Sequence, residues 1–186
     1  MSTLHRIALA DCPPQPWRNG GGTTRELLAW PRADDWLVRV SVAEIARAGD
    51  FSAYPGVARW FAVLEGAGVE LALPQGRFTL TPRSEPLGFD GAAAPHCRLL
   101  GGTTQDLNLM VRHGAGRAVM RRAEPGSRAS GGGRMRALYA ADAARLEIAG
   151  HGEPIAAGTL LWSASASAPW TLGGGARAFW LTLDAR

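Results

Sequence analysis

The sequence predicts an all-β protein made of many short strands joined by tight turns. Its 186 residues include 24 glycines and 12 prolines, which favour turns over helices. Strand-like runs recur at roughly ten-residue spacing through residues 77–111, which is typical of a jelly roll. In residues 37–42, Val38, Val40 and Val42 share one face while Arg39 and Ser41 share the other, as the period of a strand requires.

The N-terminal stretch predicts an edge strand followed by an interruption. Residues 4–9 can form the first strand, and prolines at positions 13, 14 and 16 cannot donate to a β-ladder. A strand then resumes at residues 23–28. The glycine-rich segment between them, residues 19–24, could cradle an anion on its backbone amides, but a tight turn is the favoured interpretation.

Residues 36–73 form the centre of the predicted barrel. After the alternating strand, residues 43–49 predict a connector of at most two helical turns that ends at Gly49. The sequence Tyr54-Pro55-Gly56 predicts a sharp reversal. Two runs, residues 59–66 and 68–73, are joined through Glu65-Gly66-Ala67-Gly68, whose glycines can adopt the positive φ of a hairpin.

The second half of the chain predicts an abbreviated repeat of the first. Residues 59–76 align with 136–153, and residues 99–110 align with 171–182, which places Arg59 on Arg136 and Asn108 on Trp180. We therefore predict a first barrel at residues 1–112, a connection at 113–134 and a second barrel at 135–186. The stretch from Arg112 to Arg136 holds seven arginines, but no nucleic-acid motif accompanies them, so a solvated connection is favoured.

The composition excludes several chemistries. All 20 basic residues are arginine, so no lysine can form a Schiff base or hold pyridoxal phosphate. The two cysteines, Cys12 and Cys97, are expected to be reduced thiols, and no apolar segment is long enough to span a membrane. These features predict a soluble cytoplasmic protein without nucleic-acid or membrane partners. A homodimer is left open.

The histidine pattern argues against a metal centre. The four histidines, at positions 5, 96, 113 and 151, are far apart, and no pair of them is separated by a single residue. A metal with open coordination positions needs three or four converging ligands. We therefore expect no metal and no other cofactor.

One strand face suggests a polar cavity in the first barrel. Asp106, Asn108 and Met110 share that face, whereas the aligned face of the second barrel carries Trp180 and looks filled. The candidate ligand-binding residues are Arg39, Ser41, Asn108, Arg59 and Glu26, because arginine can fork onto a carboxylate and asparagine both donates and accepts. Trp17 and Phe89 could form walls of the cavity. Alternatively, Arg39 could pair with Glu26 or Glu44 to lock the sheet.

Carboxylates in such a cavity would also permit acid–base catalysis. Glu26, Glu44 and Asp106 are the candidates, because burial could shift their pKa values toward neutrality. For each of them, as for Asp90, an exposed carboxylate at a turn or strand end is the favoured interpretation.

Six motifs occur in an order that resembles one known family. They are WRNGGGTTRE (residues 17–26), WLVRVSVAEI (36–45), GDFSAYPGVAR (49–59), LEGAGVEL (64–71), LGFDG (87–91) and DLNLM (106–110). The set resembles the HutD/Ves family of bacterial proteins and covers roughly the first 112 residues. The resemblance implies a double cupin fold, with two RmlC-like jelly-roll β-barrels in one chain.

The resemblance also implies a function. Some members of the family are connected with histidine utilisation, which they are thought to moderate by binding an intermediate such as urocanate or formiminoglutamate. We therefore expect a non-catalytic regulator that binds a small carboxylic acid. A metal-independent enzyme of lyase, isomerase or hydrolase type is the alternative, and a protein-interaction scaffold would be favoured if the first barrel were filled.

Overall fold

A computed structural model of the chain describes residues 3–164, 168–175 and 177–185. It divides the chain into two compact units. The first unit comprises residues 12–115. The second unit comprises the N-terminal segment up to residue 11 together with the chain from residue 116 onward.

The first unit contains a six-stranded and a four-stranded antiparallel sheet, in the strand orders β2-β3-β4-β11-β6-β9 and β5-β10-β7-β8. Its strands are β2 (Gln15–Pro16), β3 (Gly22–Trp30), β4 (Val38–Ile45), β5 (Gly49–Asp50), β6 (Val57–Glu65), β7 (Val69–Leu73), β8 (Gly76–Leu80), β9 (Leu87–Asp90), β10 (His96–Leu99) and β11 (Thr104–Arg112). A short 3₁₀ helix, Gly91–Ala93, follows β9. Side chains from both sheets, including Phe61, Leu71 and Cys97, form one buried apolar cluster.

The second unit contains a five-stranded and a three-stranded sheet, in the orders β1-β16-β13-β18-β12 and β15-β14-β17. Its strands are β1 (His5–Ala8), β12 (Arg117–Arg122), β13 (Met135–Ala140), β14 (Ala144–Ile148), β15 (His151–Ile155), β16 (Thr159–Ala164), β17 (Trp170–Gly175) and β18 (Ala178–Asp184). A 3₁₀ helix, Leu9–Asp11, follows β1. Its interior is a buried cluster that includes Leu138, Trp170 and Trp180.

The strand register confirms the predicted repeat. In the first unit Arg59 of β6 lies opposite Met110 of β11, and Phe61 lies opposite Asn108. In the second unit Arg136 of β13 lies opposite Thr182 of β18, and Leu138 lies opposite Trp180. Both alignments from the sequence therefore place equivalent residues on equivalent strands with the same register.

The hairpin between β6 and β7 explains the two glycines at its turn. Gly66 has φ +94° and Gly68 has φ +112°, a region that other L-residues rarely adopt. A Cβ on Gly68 would also stand 2.3 Å from the carbonyl oxygen of Leu80. The turn therefore requires glycine both for its backbone conformation and for the close approach of β8.

Two predictions about the chain path differ from the structure. The short helix predicted at residues 43–49 is wrong, because Ala43 and Ile45 continue β4 and pair with Asp106 and Thr104 of β11. The boundaries of the two units also differ from those predicted at residues 112 and 135. β1 pairs with β16 and β12 pairs with β18, so both strands belong to the second unit.

The predicted class itself is confirmed, since strands dominate both units and the described ranges contain only 3₁₀ helices. No helix in these ranges has the length and apolar character needed to cross a membrane.

Candidate functional site

A cavity of about 520 Å³ lies in the first unit. Its walls combine polar strand residues with aromatic side chains from the segment after β5. The wall includes Trp17, Arg18, Thr24, Arg39, Ser41, Asp50, Phe51, Ser52, Tyr54, Arg59, Phe61, Asn108 and Met110. Four of the predicted binding residues, Arg39, Ser41, Arg59 and Asn108, therefore line one cavity together with Trp17.

The strand register explains why these residues meet. Met110 of β11 lies opposite Arg39 of β4 on one side and Arg59 of β6 on the other. One step along, Asn108 lies between Ser41 and Phe61 in the same way. Paired residues of neighbouring strands point to the same face of a sheet, so two parallel rows of side chains face the cavity.

Arg59 is a buried cation without a carboxylate partner. The residue is 5% exposed, and its Nη2 donates a hydrogen bond to Asn108 Oδ1 at 3.0 Å. Its Nη1 reaches the Ser52 carbonyl oxygen at 3.5 Å, and its Nε makes no hydrogen bond. Within the described residues, no carboxylate forms an ion pair with this guanidinium.

Three aromatic rings surround the Arg59 guanidinium. Its central carbon lies 5.1 Å from the centre of the Phe51 ring, 5.3 Å from that of Phe89 and 5.7 Å from that of Tyr54. Burial lowers the pKa of Arg59 to about 10, and the charge of Arg39 contributes in the same direction. Arg59 therefore remains cationic at neutral pH in an environment that removes most of its hydration.

Arg39 has a carboxylate partner. Its Nε donates to Glu26 Oε2 at 2.6 Å, and the two side chains are 18% and 29% exposed. The alternative in which Arg39 pairs with Glu26 is therefore the one that the structure contains. Glu44 is exposed and lies outside the cavity wall, so it is not placed to act on a ligand there.

The two predicted aromatic walls take different positions. Trp17 lines the cavity, and its indole Nε1 donates to Thr24 Oγ1 at 2.8 Å. Phe89 is buried against Arg59 rather than being part of the cavity wall. Phe51 and Tyr54, which were not among the predicted wall residues, also contribute to the wall. The available signal was their place in the motif at residues 49–59.

The glycine-rich segment before β3 forms a turn that uses its own polar groups. Gly20 N donates to Trp17 O at 2.9 Å, and Gly21 N donates to Asn19 Oδ1 at 2.9 Å. A Cβ on Gly22 would stand 2.1 Å from the Glu44 carbonyl oxygen. These contacts favour the turn interpretation over an anion cradle.

Asp106 lies on the same face of β11 as Asn108 but is enclosed by protein. It is 0% exposed and is not part of the cavity wall. Thr104 Oγ1 donates to its Oδ2 at 2.7 Å, and its Oδ1 has no hydrogen-bond partner. Burial raises the pKa of Asp106 to about 7. Burial and the nearby Asp106 charge also raise the pKa of the Cys97 thiol to about 12.

The equivalent positions of the second unit are occupied differently. Arg136, which corresponds to Arg59, donates through Nη2 to Gly131 O at 2.8 Å and through Nη1 to Ala168 O at 2.5 Å. Trp180, which corresponds to Asn108, is 0% exposed within the apolar cluster. A second cavity of about 230 Å³ is lined by other residues, including His151 and Trp170. The repeat thus keeps the arginine but satisfies it with main-chain oxygens.

The residues of the cavity wall do not fit a metal ion of the kind that metal-dependent cupin enzymes bind. Its wall includes one carboxylate, Asp50, and no histidine or cysteine, while Arg39 and Arg59 supply positive charge. In the described ranges, no three His, Cys, Asp or Glu side chains form a group that could hold a metal ion.

We expect elemental analysis of protein purified without an affinity tag to find no stoichiometric transition metal. The physical reason is the lack of converging ligands and the cationic wall. About one zinc, iron or manganese per chain, retained through dialysis, would contradict this expectation.

Comparison with known proteins identifies relatives of the chain. An uncharacterized 21.2 kDa protein in the hutC 3′ region of Pseudomonas putida is 36% identical over 113 residues, 59% of each chain. Protein Ves of Citrobacter koseri is 38% identical over 114 residues, 60% of each chain. The chain thus spans about three fifths of the length of these curated relatives.

Solved structures are similar over nearly the whole chain. A conserved protein of unknown function from Pseudomonas aeruginosa PAO1 has a TM-score of 0.88 and 28% identity, with 99% of this chain and 100% of that chain covered. HutD from Pseudomonas fluorescens SBW25 has a TM-score of 0.85 at 23% identity, with the same coverage. An oxalate decarboxylase variant from Bacillus subtilis has a TM-score of 0.64 at 10% identity and covers 99% and 78% of the two chains.

These similarities confirm the double cupin fold that the motifs implied. The HutD family model matches residues 9–179. The chain therefore belongs to the HutD family.

Proposed function

We propose that the first unit binds a small carboxylic acid in its cavity without converting it chemically. The observation that carries this proposal is Arg59, a buried cation that lines the cavity and has no carboxylate partner among the described residues. Burying a charge is costly unless an opposite charge and hydrogen bonds compensate it. A bound carboxylate would supply both.

The surroundings of Arg59 favour a carboxylate over a featureless anion. A guanidinium presents a planar fork that matches two carboxylate oxygens, and Arg59 contributes this fork to the cavity wall. Asn108 already holds Nη2, which fixes the orientation of the group. Ser41 provides a further hydroxyl on the cavity wall, and the half-buried rings of Phe51 and Tyr54 provide apolar surface for the body of the ligand.

The positions of the carboxylates support binding rather than catalysis. A general acid or base must lie within hydrogen-bond reach of the substrate. Of the predicted candidates, Asp106 is not part of the cavity wall, Glu44 is exposed, and Glu26 is held by Arg39. Asp50 does line the wall, but it is exposed, and its Oδ1 lies 2.6 Å from His96 Nδ1. The metal-independent enzyme remains the alternative, with Asp106 as its candidate because of its raised pKa.

Membership of the HutD family suggests which acids to test and where the protein acts. We propose urocanate and formiminoglutamate as candidate ligands, and a role in regulating histidine utilisation in the cytoplasm. This role needs no nucleic-acid or membrane partner.

Replacing Arg59 with methionine is the direct test of the site. Methionine keeps much of the apolar stem volume but removes the fork, so we expect ligand affinity to fall about 10- to 100-fold, the value of charged hydrogen bonds. Wild-type protein should show a melting temperature that rises with the logarithm of ligand concentration above the dissociation constant. In Arg59→Met this rise should begin only at correspondingly higher concentrations.

Arg136→Met provides the matched control, because Arg136 occupies the equivalent repeat position and is satisfied by main-chain oxygens. It should leave the ligand-induced shift unchanged even if it lowers the starting melting temperature. Chloride and nitrate at equal ionic strength control for binding to the many surface arginines. A shift that these anions reproduce, or that survives in Arg59→Met, would contradict the proposal. Consumption of the ligand during titration would instead support the enzyme alternative.

A further inference from the structure

Arg39 and Arg59, the two arginines that flank Met110, differ in whether a neighbouring carboxylate neutralises their charge. Adjacent strands lie about 4.8 Å apart, so the Cα atoms of Arg39 and Arg59 stand about 10 Å apart across β11. Both side chains line the cavity. Arg39 is bound to Glu26 at 2.6 Å, whereas Arg59 has only neutral hydrogen-bond partners.

The remaining charges of the cavity wall lie at exposed positions. Arg18 and Asp50 line the cavity and are both exposed, and Asp50 Oδ1 lies 2.6 Å from His96 Nδ1. Water and salt screen such exposed charges strongly. The buried part of the site therefore carries one uncompensated positive charge, that of Arg59.

We propose that Glu26 determines the charge of the ligand: by neutralising Arg39, it makes the cavity select a monocarboxylate over a dicarboxylate. This inference rests on the proposed function and specifies its ligand class: of the two candidate acids, it favours urocanate, which has one carboxylate, over formiminoglutamate, which has two. Without Glu26, Arg39 and Arg59 would present two free guanidinium groups in one row, and such a row would suit a ligand with two carboxylates. The selectivity therefore depends on Glu26 and not on the position of Arg59 alone.

The physical basis is the cost of a second buried anion. A ligand held by Arg59 through one carboxylate and lying along this row would bring its other end toward Met110 and the Arg39–Glu26 pair. A second carboxylate there would lose hydration, and the Glu26 charge would oppose the attraction of Arg39. A neutral end of the same ligand would meet no such penalty, so discrimination comes from repulsion and desolvation rather than from an added contact.

The test compares pentanoate with glutarate, which share a five-carbon chain and differ in the second carboxylate. Isothermal titration calorimetry at neutral pH and fixed ionic strength measures the affinities for pentanoate and glutarate. The proteins compared are the wild type, Glu26→Gln, and the double variant Glu26→Gln with Arg39→Met. Glutamine keeps an oxygen acceptor for Arg39 Nε but removes the charge. We expect wild-type protein to bind pentanoate at least about tenfold more tightly than glutarate. Glu26→Gln should raise the affinity for glutarate about tenfold and leave the affinity for pentanoate unchanged, as expected for a close charge pair.

The double variant and the single Arg39→Met variant complete the design. In the double variant, the loss of Arg39 should abolish the gain in affinity for glutarate. Arg39→Met alone should lower the affinity for glutarate more than that for pentanoate, because the negative charge of Glu26 is then not neutralised. Arg39→Met also provides the test if Glu26→Gln fails to fold.

Two outcomes overturn the inference while leaving the proposed function intact. They are equal wild-type affinities for the two acids, and a Glu26→Gln variant that binds both as wild type does. If neither acid binds wild-type protein, and urocanate and formiminoglutamate also fail to bind, the proposed function itself is wrong and the selectivity inference fails with it.

Discussion

Trp180→Ala is expected to destabilise the protein by about 3–5 kcal/mol, the usual cost of deleting a large aromatic side chain from a core. The Trp180 side chain is completely buried among Leu138, Leu146 and Trp170, and its Nε1 donates to Ser127 Oγ at 3.0 Å. Truncation would leave a large cavity and an unpaired hydroxyl in the second unit. Urea unfolding followed by circular dichroism measures the loss.

Asn108→Ala is the matched comparison, because Asn108 occupies the equivalent repeat position in the first unit. We expect it to cost only about 1 kcal/mol, since water in the cavity can replace the amide as the acceptor for Arg59. The same variant should weaken ligand binding, which Trp180→Ala should not do. Equal losses of stability at the two positions would mean that Asn108 is structural and that the contrast between the units is misread.

Asp106→Asn is expected to change how stability depends on pH. Burial raises the folded-state pKa of Asp106 to about 7, from an ordinary value of 3.8. Between these values the folded protein holds a proton that the unfolded chain has released, so the free energy of unfolding falls as pH rises. The difference between the two pKa values corresponds to about 4 kcal/mol lost by pH 8. Asparagine cannot ionise, so the variant should escape this loss.

Unfolding in urea between pH 4 and pH 8 tests this expectation. The stability of Asp106→Asn relative to wild type should rise through this range and level off above pH 7. Asp34→Asn is a suitable control, because the Asp34 side chain is 83% exposed and should show no such trend. Parallel pH profiles for Asp106→Asn and wild type would show that Asp106 does not titrate in the way its burial implies.

The sequence correctly predicted those parts of the fold that depend on residues close together in the chain. Alternation in residues 37–42 correctly assigned Val40 and Arg39 to opposite faces of β4. The helix expected at residues 43–49 was wrong because weak helix propensity yielded to pairing of Ala43 and Ile45 with β11. The placement of β1 beside β16 could not be predicted from nearby residues, because it depends on a partner far along the chain.

The same distinction applies to the candidate site. Strand periodicity was sufficient to select Arg39, Ser41 and Asn108 as residues of one face. It could not decide whether Arg39 would bind Glu26 or a ligand, because that choice depends on side-chain geometry. The rings of Phe51 and Tyr54 around Arg59 were missed, since the path of the segment after β5 is set by tertiary contacts such as Tyr54 N to Gly91 O.

The pairing of β1 with β16 has a consequence for synthesis on the ribosome. The two strands lie about 150 residues apart in the chain, so β1 emerges long before its partner exists. The first unit is contiguous and can fold while translation continues, whereas β1 must wait until β16 has been synthesised. A nascent chain therefore carries β1 as an unpaired β-strand until β16 has been synthesised, a state in which chaperones can bind it.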